Sequence, residues 1–331
     1  MDRYVPPFSI THQMLSLVGS ISEKIGRIDG ISALSSRPRL RRGNQIRSIH
    51  STLLIEANSL SLGQVRDVID GKPVLGDARD VQEVKNAYAA YEMLPSIDPF
   101  KMEDLKRLHG VMTQYLVEES GVFRRGEEGV FNGDRCIFMA PPASLAPQLM
   151  QDLFDWINRE KGRLHPLILS AVFHYEFVFI HPFADGNGRM ARLWHTALLY
   201  QWNPLFAYIP LESQIERYQD GYYDAIAACH KNGNSDVFIT FMLEKTDELL
   251  NELLKGFADG PEDVSPYTRR LLDAMAFDTA YTAAALMEKL GLRSRETFRA
   301  HYLHPALQKG LVEMTVPDKP RSRNQRYVKK H

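Results

Sequence analysis

The stretch that decides how this chain reads is residues 181–192, His181-Pro182-Phe183-Ala184-Asp185-Gly186-Asn187-Gly188-Arg189-Met190-Ala191-Arg192. Upstream, Leu167, Ile168, Ala171, Val172, Tyr175, Val178 and Phe179 recur at helical spacing, and downstream Met190, Leu193, Trp194, Ala197, Leu198 and Gln201 repeat the rhythm. The spacing predicts a loop between two packed helices, with His181 at or just past the end of the first and the second starting near Gly188. At such a start the N–H groups of Gly186, Asn187 and Gly188 lack helical partners, and the helix dipole favours an anion. The glycines let the backbone approach a phosphate closely. His181 can take a proton near pH 7, which suits it to deprotonating an attacking hydroxyl. Asp185 is a hard oxygen ligand suited to Mg²⁺ shared with nucleotide phosphates. Asn187 can donate to a phosphate oxygen, and Arg189 and Arg192, three apart on one helical face, form a pair of forks for a polyphosphate. Pro182 and Phe183 anchor the loop in the core. An isolated Gly-Asn-Gly is a turn and an isolated histidine a core residue; the combination is what points to a phosphate site with a proton acceptor attached.

The string resembles the signature of the Fic family, His-x-Phe-x-(Asp/Glu)-Gly-Asn-Gly-Arg-x-x-Arg, at every specified position. The resemblance implies a protein adenylyltransferase, in which a hydroxyl of a target protein attacks the α-phosphate of ATP, leaves AMP on the target and releases pyrophosphate. It implies His181 as general base, Asp185 as the metal ligand, and Asn187 with the backbone of Gly186 to Gly188 as stabilisers of phosphate charge. Arg189 then contacts the phosphates and Arg192 holds the terminal one, with ATP as substrate and Mg²⁺ as the ion. Family relatives that phosphorylate instead carry a loop without the second glycine, so Gly188 favours adenylyl transfer.

Residues 44–58 read as a helix whose apolar stripe is Ile46, Ile49, Leu53 and Ala57, continuing toward Leu60. Glu56 falls at the edge of that stripe, where a partly buried carboxylate needs a cation. The segment Ser51-Thr52-Leu53-Leu54-Ile55-Glu56-Ala57-Asn58 resembles the family's inhibitory helix, (Ser/Thr)-x-x-x-Glu-(Gly/Asn). That resemblance implies that Glu56 pairs with Arg192 and blocks placement of the terminal phosphate. Ala57 departs from the pattern, standing where the family has Gly or Asn.

Phe123-Arg124 precedes Val130-Phe131-Asn132-Gly133, after which come Asp134 to Phe138 and Pro141-Pro142. Asn132-Gly133 between short apolar runs signals a hairpin, because both residues tolerate positive φ. It resembles the family's flap, which implies that Val130, Phe131, Asn132 and Gly133 dock the target backbone by strand addition.

At 331 residues with 44% hydrophobic content, the chain can bury a sizeable core and hold two or three folding units. A net charge of −1 selects no partner, and no apolar run reaches the length of a membrane span. The start, Met1 to Pro7, lacks the pattern of a secretion signal. Two cysteines, Cys136 and Cys229, form neither a disulfide framework nor a metal spacing and read as reduced thiols, so a cytoplasmic location is expected. Helices are expected at 11–27, around Val81 to Tyr91, and over 99–117, 146–160, 212–231 and 235–254, with a basic loop at 35–42.

The expected fold is mostly α: an N-terminal helical region (1–89), a Fic-type helical core with a β-hairpin flap (90–255), a turn-rich acidic linker (256–265) and a C-terminal domain (266–331). Helical patterns at 265–277, 282–290 and 294–309, then two short strands around a Pro-rich turn, resemble a winged helix-turn-helix. Residues 291–331 carry ten Lys or Arg against three Asp or Glu, the local asymmetry of a nucleic-acid contact. A second reading therefore makes the protein a DNA-binding regulator whose core senses nucleotide, with Arg293, Arg295 and Arg299 on a recognition helix and Arg321 and Arg323 on a wing. A third keeps the enzyme and reverses it, Glu56 positioning water to remove AMP from a modified protein. The partners expected are a target protein with an acceptor hydroxyl, DNA on the second reading, and no membrane; the family leaves a homodimer open.

Overall fold

Helices make up almost all regular structure in the computed structural model, which describes residues 3–30, 38–132, 135–258, 265–276, 279–317, 319–320 and 322–330; of these, the side chains of 29–30, 38–40, 130–132, 135–138 and 256–258 are not described. The elements run α1 (His12–Gly30), α2 (Pro38–Ile55), α3 (Leu62–Ile69), α4 (Ala78–Glu92), α5 (Met102–Met112), β1 (Gly129–Asn132), β2 (Arg135–Met139), α6 (Ala146–Glu160), α7 (Pro166–Ile180), α8 (Asn187–Trp202), α9 (Leu211–Arg217), α10 (Gln219–Asn232) and α11 (Asp236–Ala258). The chain divides into two units, residues 1–35 with 44–251 and residues 36–43 with 252–331.

In the first unit α7 is the central element. Leu167 to Phe177 are buried without interruption, so the helix has no solvent face. α8 packs beside it: the Trp194 ring lies 6.2 Å from Phe154 and 6.4 Å from Phe173, all three buried. Burying each such aromatic contributes roughly 2–3 kcal/mol, and this pair of helices gives the loop between them a rigid frame. A buried carboxylate fixes α2 against that frame: Glu212 accepts hydrogen bonds from Ser48 (2.7 Å), Tyr91 (2.7 Å) and Thr196 (3.2 Å). Three hydroxyl donors are what let a carboxylate stay this deep.

Several boundaries differ from the sequence reading. α2 begins at Pro38, so residues 38–42 are helix rather than basic loop; proline's fixed φ suits a first helical position. α2 also stops at Ile55, short of the expected 58. Asn58 N–H donates to Leu53 O and Ala57 N–H to Leu54 O, a Schellman closure with Ala57 left-handed at φ 64°. Glu56 is therefore the cap of the helix, not part of its body. The helix expected over 99–117 is the shorter α5, and the one over 212–231 breaks at Tyr218 into α9 and α10. α3, capped by a reciprocal Ser61/Gln64 box, was not anticipated. α11 continues to Ala258, and residues 259–264 of the expected linker lie outside the described residues.

The second unit contains α12 (Pro266–Ala274), α13 (Ala283–Leu290), α14 (Arg295–Thr297), a π-helical segment Phe298–Leu303, α15 (His304–Gln308) and the antiparallel pair β3 (Val312–Met314) and β4 (Tyr327–Lys329). Tyr281 bridges to Tyr327 of β4. Leu271, Leu286, Leu290, Phe298, Tyr302, Val312 and Tyr327 form its core. The helix expected to be regular over 294–309 widens before Pro305, where His304 N–H reaches back five residues to Arg299 O. Proline supplies no N–H and clashes with the preceding turn, and a π turn accommodates it. No helix among the described residues is long and apolar enough to cross a membrane.

Candidate functional site

The loop of residues 181–186 is bracketed by two left-handed residues. His181 caps the C-terminus of α7 at φ 51°, ψ 58°, and Gly186 starts α8 at φ 79°. A left-handed histidine costs of order 1 kcal/mol, so the surrounding packing determines where this side chain sits. A Cβ at position 186 would also lie 3.0 Å from the Thr113 methyl. His181 Nδ1 is 3.3 Å from Val178 O; with its proton donated there, Nε2 is left as the lone-pair nitrogen. Burial lowers the His181 pKa, outweighing the Val178 hydrogen bond that raises it, and the Arg124 charge lowers it further.

Asp185 stands where cations converge. Its Oδ1 accepts from Arg189 at 2.9 Å and from Gly186 N–H, and its Oδ2 lies 3.2 Å from Arg79 of α4. Gly186 N–H is thus already engaged, while α8 has no side-chain cap for the amides of its first turn. Asn187 is buried with both polar ends on Phe183, accepting from its N–H (2.9 Å) and donating to its carbonyl (2.7 Å). One amide hydrogen is all its side chain has left for a phosphate. Arg189, buried, also reaches Glu83 at 3.4 Å, and its Nε has no hydrogen-bond partner among the described residues.

Arg192 faces α2. Its Nε donates to Thr52 Oγ1 (2.8 Å), and Nη2 donates to Thr52 O (3.0 Å) and to Glu56 Oε1 (2.6 Å). The arginine side chain is 1% exposed and that of Glu56 33%. Burial works against the arginine's charge, yet Glu56 and the neighbouring tyrosines leave its pKa raised. Gly188 has its own reason to be glycine: a Cβ there would collide with Glu56 Oε1. The structure thus brings His181, Asp185, Gly186 to Arg189, Arg192 and Glu56 together.

Of the flap, β1 pairs antiparallel with β2 (Val130 opposite Phe138, Asn132 opposite Arg135), with a bulge between Val130 and Phe131. Gly133 lies outside the described residues, as do the side chains of Val130, Phe131 and Asn132. Cys229 is a buried free thiol; the side chain of Cys136 is not described.

Sequence reasoning missed four contributors. Arg79 and Glu83 come from α4 and meet residues more than a hundred positions away, which no local pattern announces. Asn58 donates to Glu83 at 2.9 Å, joining the end of α2 to the Arg189 partner. His109 on α5 stacks on Phe183 at 3.6 Å, accepts Gly121 N–H at Nδ1 and so donates from Nε2 to Asp185 O, both at 2.9 Å. Burial pulls its pKa down to about 4. Its only sequence signal was a histidine on the apolar face of an amphipathic helix.

Comparison with known proteins bears on these residues. Residues 99–199 match the Fic/DOC family, and residues 266–328 match the C-terminal domain of "Filamentation induced by cAMP protein Fic-like". A crystal structure of a Fic family protein from Desulfovibrio desulfuricans G20 is 43% identical, with a TM-score of 0.74 over 99% of this chain and 98% of that one. "Protein adenylyltransferase Fic" of Drosophila sechellia is 28% identical over 250 residues, covering 71% of this chain and 48% of the relative. "Protein adenylyltransferase fic-1" of Caenorhabditis elegans is 26% identical over 262 residues, covering 73% and 50%. The chain spans about half the length of the curated relatives it matches.

Proposed function

The chain belongs to the Fic family, and from that premise we propose that it is a protein adenylyltransferase held in check by Glu56. The observation that carries the reading is the clustering at the start of α8 of a histidine whose Nε2 has no hydrogen-bond partner among the described residues, an acidic residue and two buried arginines. In the proposed reaction His181 Nε2 takes the proton of a target hydroxyl as its oxygen bonds the α-phosphorus of ATP. The bond to the β-phosphate oxygen breaks and pyrophosphate leaves. The uncapped amides of α8 and the Arg189 guanidinium meet the charge on the phosphates, a task of positioning and electrostatics. Asn187 fixes Phe183 and keeps one amide hydrogen for a phosphate oxygen, while His109 acts on the loop rather than on substrate, by fixing the Asp185 carbonyl.

Asp185 fits a Mg²⁺ ligand, since its carboxylate is a hard donor at a place where two guanidinium groups already show that positive charge is favoured. Among the described residues no three His, Cys, Asp or Glu side chains gather as a metal site, so Asp185 would share the ion with nucleotide phosphates. The ion, when bound, supplies neutralisation of phosphate charge. Among the described residues no third strand pairs with the β1–β2 hairpin, which supports strand addition by an extended target segment.

Wild type, Glu56→Gly and Glu56→Gly/His181→Ala, incubated with α-labelled ATP, Mg²⁺ and lysate, test this reading. Label that rises with Glu56→Gly and disappears without His181 supports it; equal label in all three refutes it.

One observation favours a second activity in the same chain. Arg293, Arg295, Arg299 and Arg323 are exposed and no carboxylate pairs with them among the described residues. Arg295, Arg299 and His304 border one shallow pocket of about 360 Å³. We propose that residues 266–331 form a winged-helix-like domain that contacts DNA phosphates. Duplex affinity that drops steeply between low and moderate salt supports this, and no binding at low salt removes it.

A further inference from the structure

Arg124 is 2% exposed and each of its three guanidinium nitrogens donates to a carbonyl group. Nε donates to His181 O at 2.7 Å, Nη1 to Gly126 O at 2.8 Å, and Nη2 to Pro141 O at 2.5 Å with a weaker reach to Ile180 O at 3.5 Å. Its own backbone N–H donates to Pro182 O at 2.9 Å. No carboxylate pairs with it among the described residues. Glu128 lies near enough to feel the Arg124 charge, but a buried cation whose hydrogen bonds all go to carbonyls is costly unless its donors are well placed, so this arrangement is demanding for what a smaller polar residue could do in a plain loop.

The identity of the acceptors explains it. Gly126 precedes β1 and Pro141 follows β2, so they are the two feet of the hairpin, whose base is closed by Ala140 N–H on Glu128 O (3.0 Å). Ile180, His181 and Pro182 are the end of α7 and the start of the catalytic loop. One planar fork therefore bridges the element that would align a target backbone and the residue that would deprotonate its hydroxyl. We propose that Arg124 is a positioning residue that sets the register between the flap and His181, so that an extended hydroxyl-bearing segment added to the hairpin edge is presented to Nε2. This rests on the adenylyltransferase reading for its chemistry and on geometry for the coupling itself. Lysine carries the charge but not the fork, with three donors on one tetrahedral nitrogen, and cannot span four carbonyls on both sides.

The test compares full-length Glu56→Gly with the same protein carrying Arg124→Lys or Arg124→Gln. Label transfer from α-labelled ATP is expected to fall about 100-fold in both, the scale of a misplacement of about 1 Å between reacting groups. ATP affinity, read by calorimetry, is expected to stay within about twofold, because Arg124 touches none of the phosphate-facing groups. Hydrogen exchange is expected to quicken by about tenfold or more in 126–143 and 181–188 together, with α10 unchanged. Exchange that rises in only one of the two segments, or across the whole unit, overturns the proposal, as does ATP affinity that falls in parallel with transfer. Exchange needs no turnover, so a Glu56→Gly protein that transfers no AMP refutes the enzyme reading while the coupling is still decided.

Discussion

Removing the Glu56 carboxylate should free Arg192 without displacing it. Arg192 Nε and Nη2 keep their bonds to Thr52 when Glu56 is gone, so the guanidinium stays pointed at the position Glu56 leaves. The contact is short, 2.6 Å, and the arginine is fully buried, but the carboxylate is 33% exposed. Complete burial would make loss of one partner cost about 3–5 kcal/mol, and full exposure would reduce the pair to about 1 kcal/mol or less. The geometry lies between, giving a competition of about 1–3 kcal/mol, or roughly 5- to 150-fold in nucleotide affinity. The assay is calorimetric titration of ATP and Mg²⁺ into His181→Ala and into His181→Ala/Glu56→Gly, so that nothing turns over. Glu56→Gln, which retains an acceptor without the charge, should fall between the two. Affinities within twofold of each other, in variants that melt cooperatively, would refute the idea that Glu56 competes with phosphate for Arg192.

Three further outcomes are expected. Ala57→Gly should raise the melting free energy by about 0.5–1 kcal/mol, because glycine adopts φ 64° without strain, and it should tighten inhibition; denaturant unfolding and label transfer read both. Because burial lowers the His181 pKa, the acid limb of transfer by Glu56→Gly should lie below pH 6.5, the usual imidazole value, and a rate already falling between pH 7.5 and 6.5 would contradict it. His109 and His195 both have pKa values lowered to about 4 by burial. The unfolded chain therefore binds more protons than the native one between pH 4 and 6.5. Their contribution is complete above pH 6.5 and is lost as pH falls toward 4, up to about 3 kcal/mol each, which a series of thermal melts against pH would show.

What could be read from the sequence was whatever local patterns specify. The apolar repeats of α7 and α8 placed the loop, and the order of residues from His181 to Arg192 pointed to phosphate chemistry there. The end of α2 was misplaced for an equally local reason. A Schellman closure is normally announced by Gly or Asn, and Ala57 occupies the left-handed position while looking like one more residue of the apolar stripe. The remainder depends on distance in the chain. Glu83 and Arg79 meet the loop across 106 residues, and Arg124 meets His181 across 57. Such pairings are decided by how α4 and α5 pack, which periodicity does not encode.

The site is therefore an assembly of helix ends rather than of side chains on one scaffold. α8 presents its amino terminus, where unpaired amides favour anions. α7 and α2 bring their carboxyl termini, where unpaired carbonyls favour cations, and at each an arginine donates to a last-turn carbonyl: Arg124 at Ile180 and His181, Arg192 at Thr52. The two arginines answer the same electrostatic need with opposite consequences. Among the described residues no carboxylate bonds to Arg124 and its hydrogen bonds all go to backbone, so it has no bond to exchange for a ligand. Arg192 has Glu56 on the cap of α2, so its bond to that carboxylate can be exchanged for a phosphate. The cap is also where Ala57 is strained and where Asn58 reaches Glu83, the partner of Arg189. Loosening this one turn would alter what both motif arginines are bonded to, and on the proposed reading the end of α2, rather than the loop itself, is then the point at which nucleotide access is set.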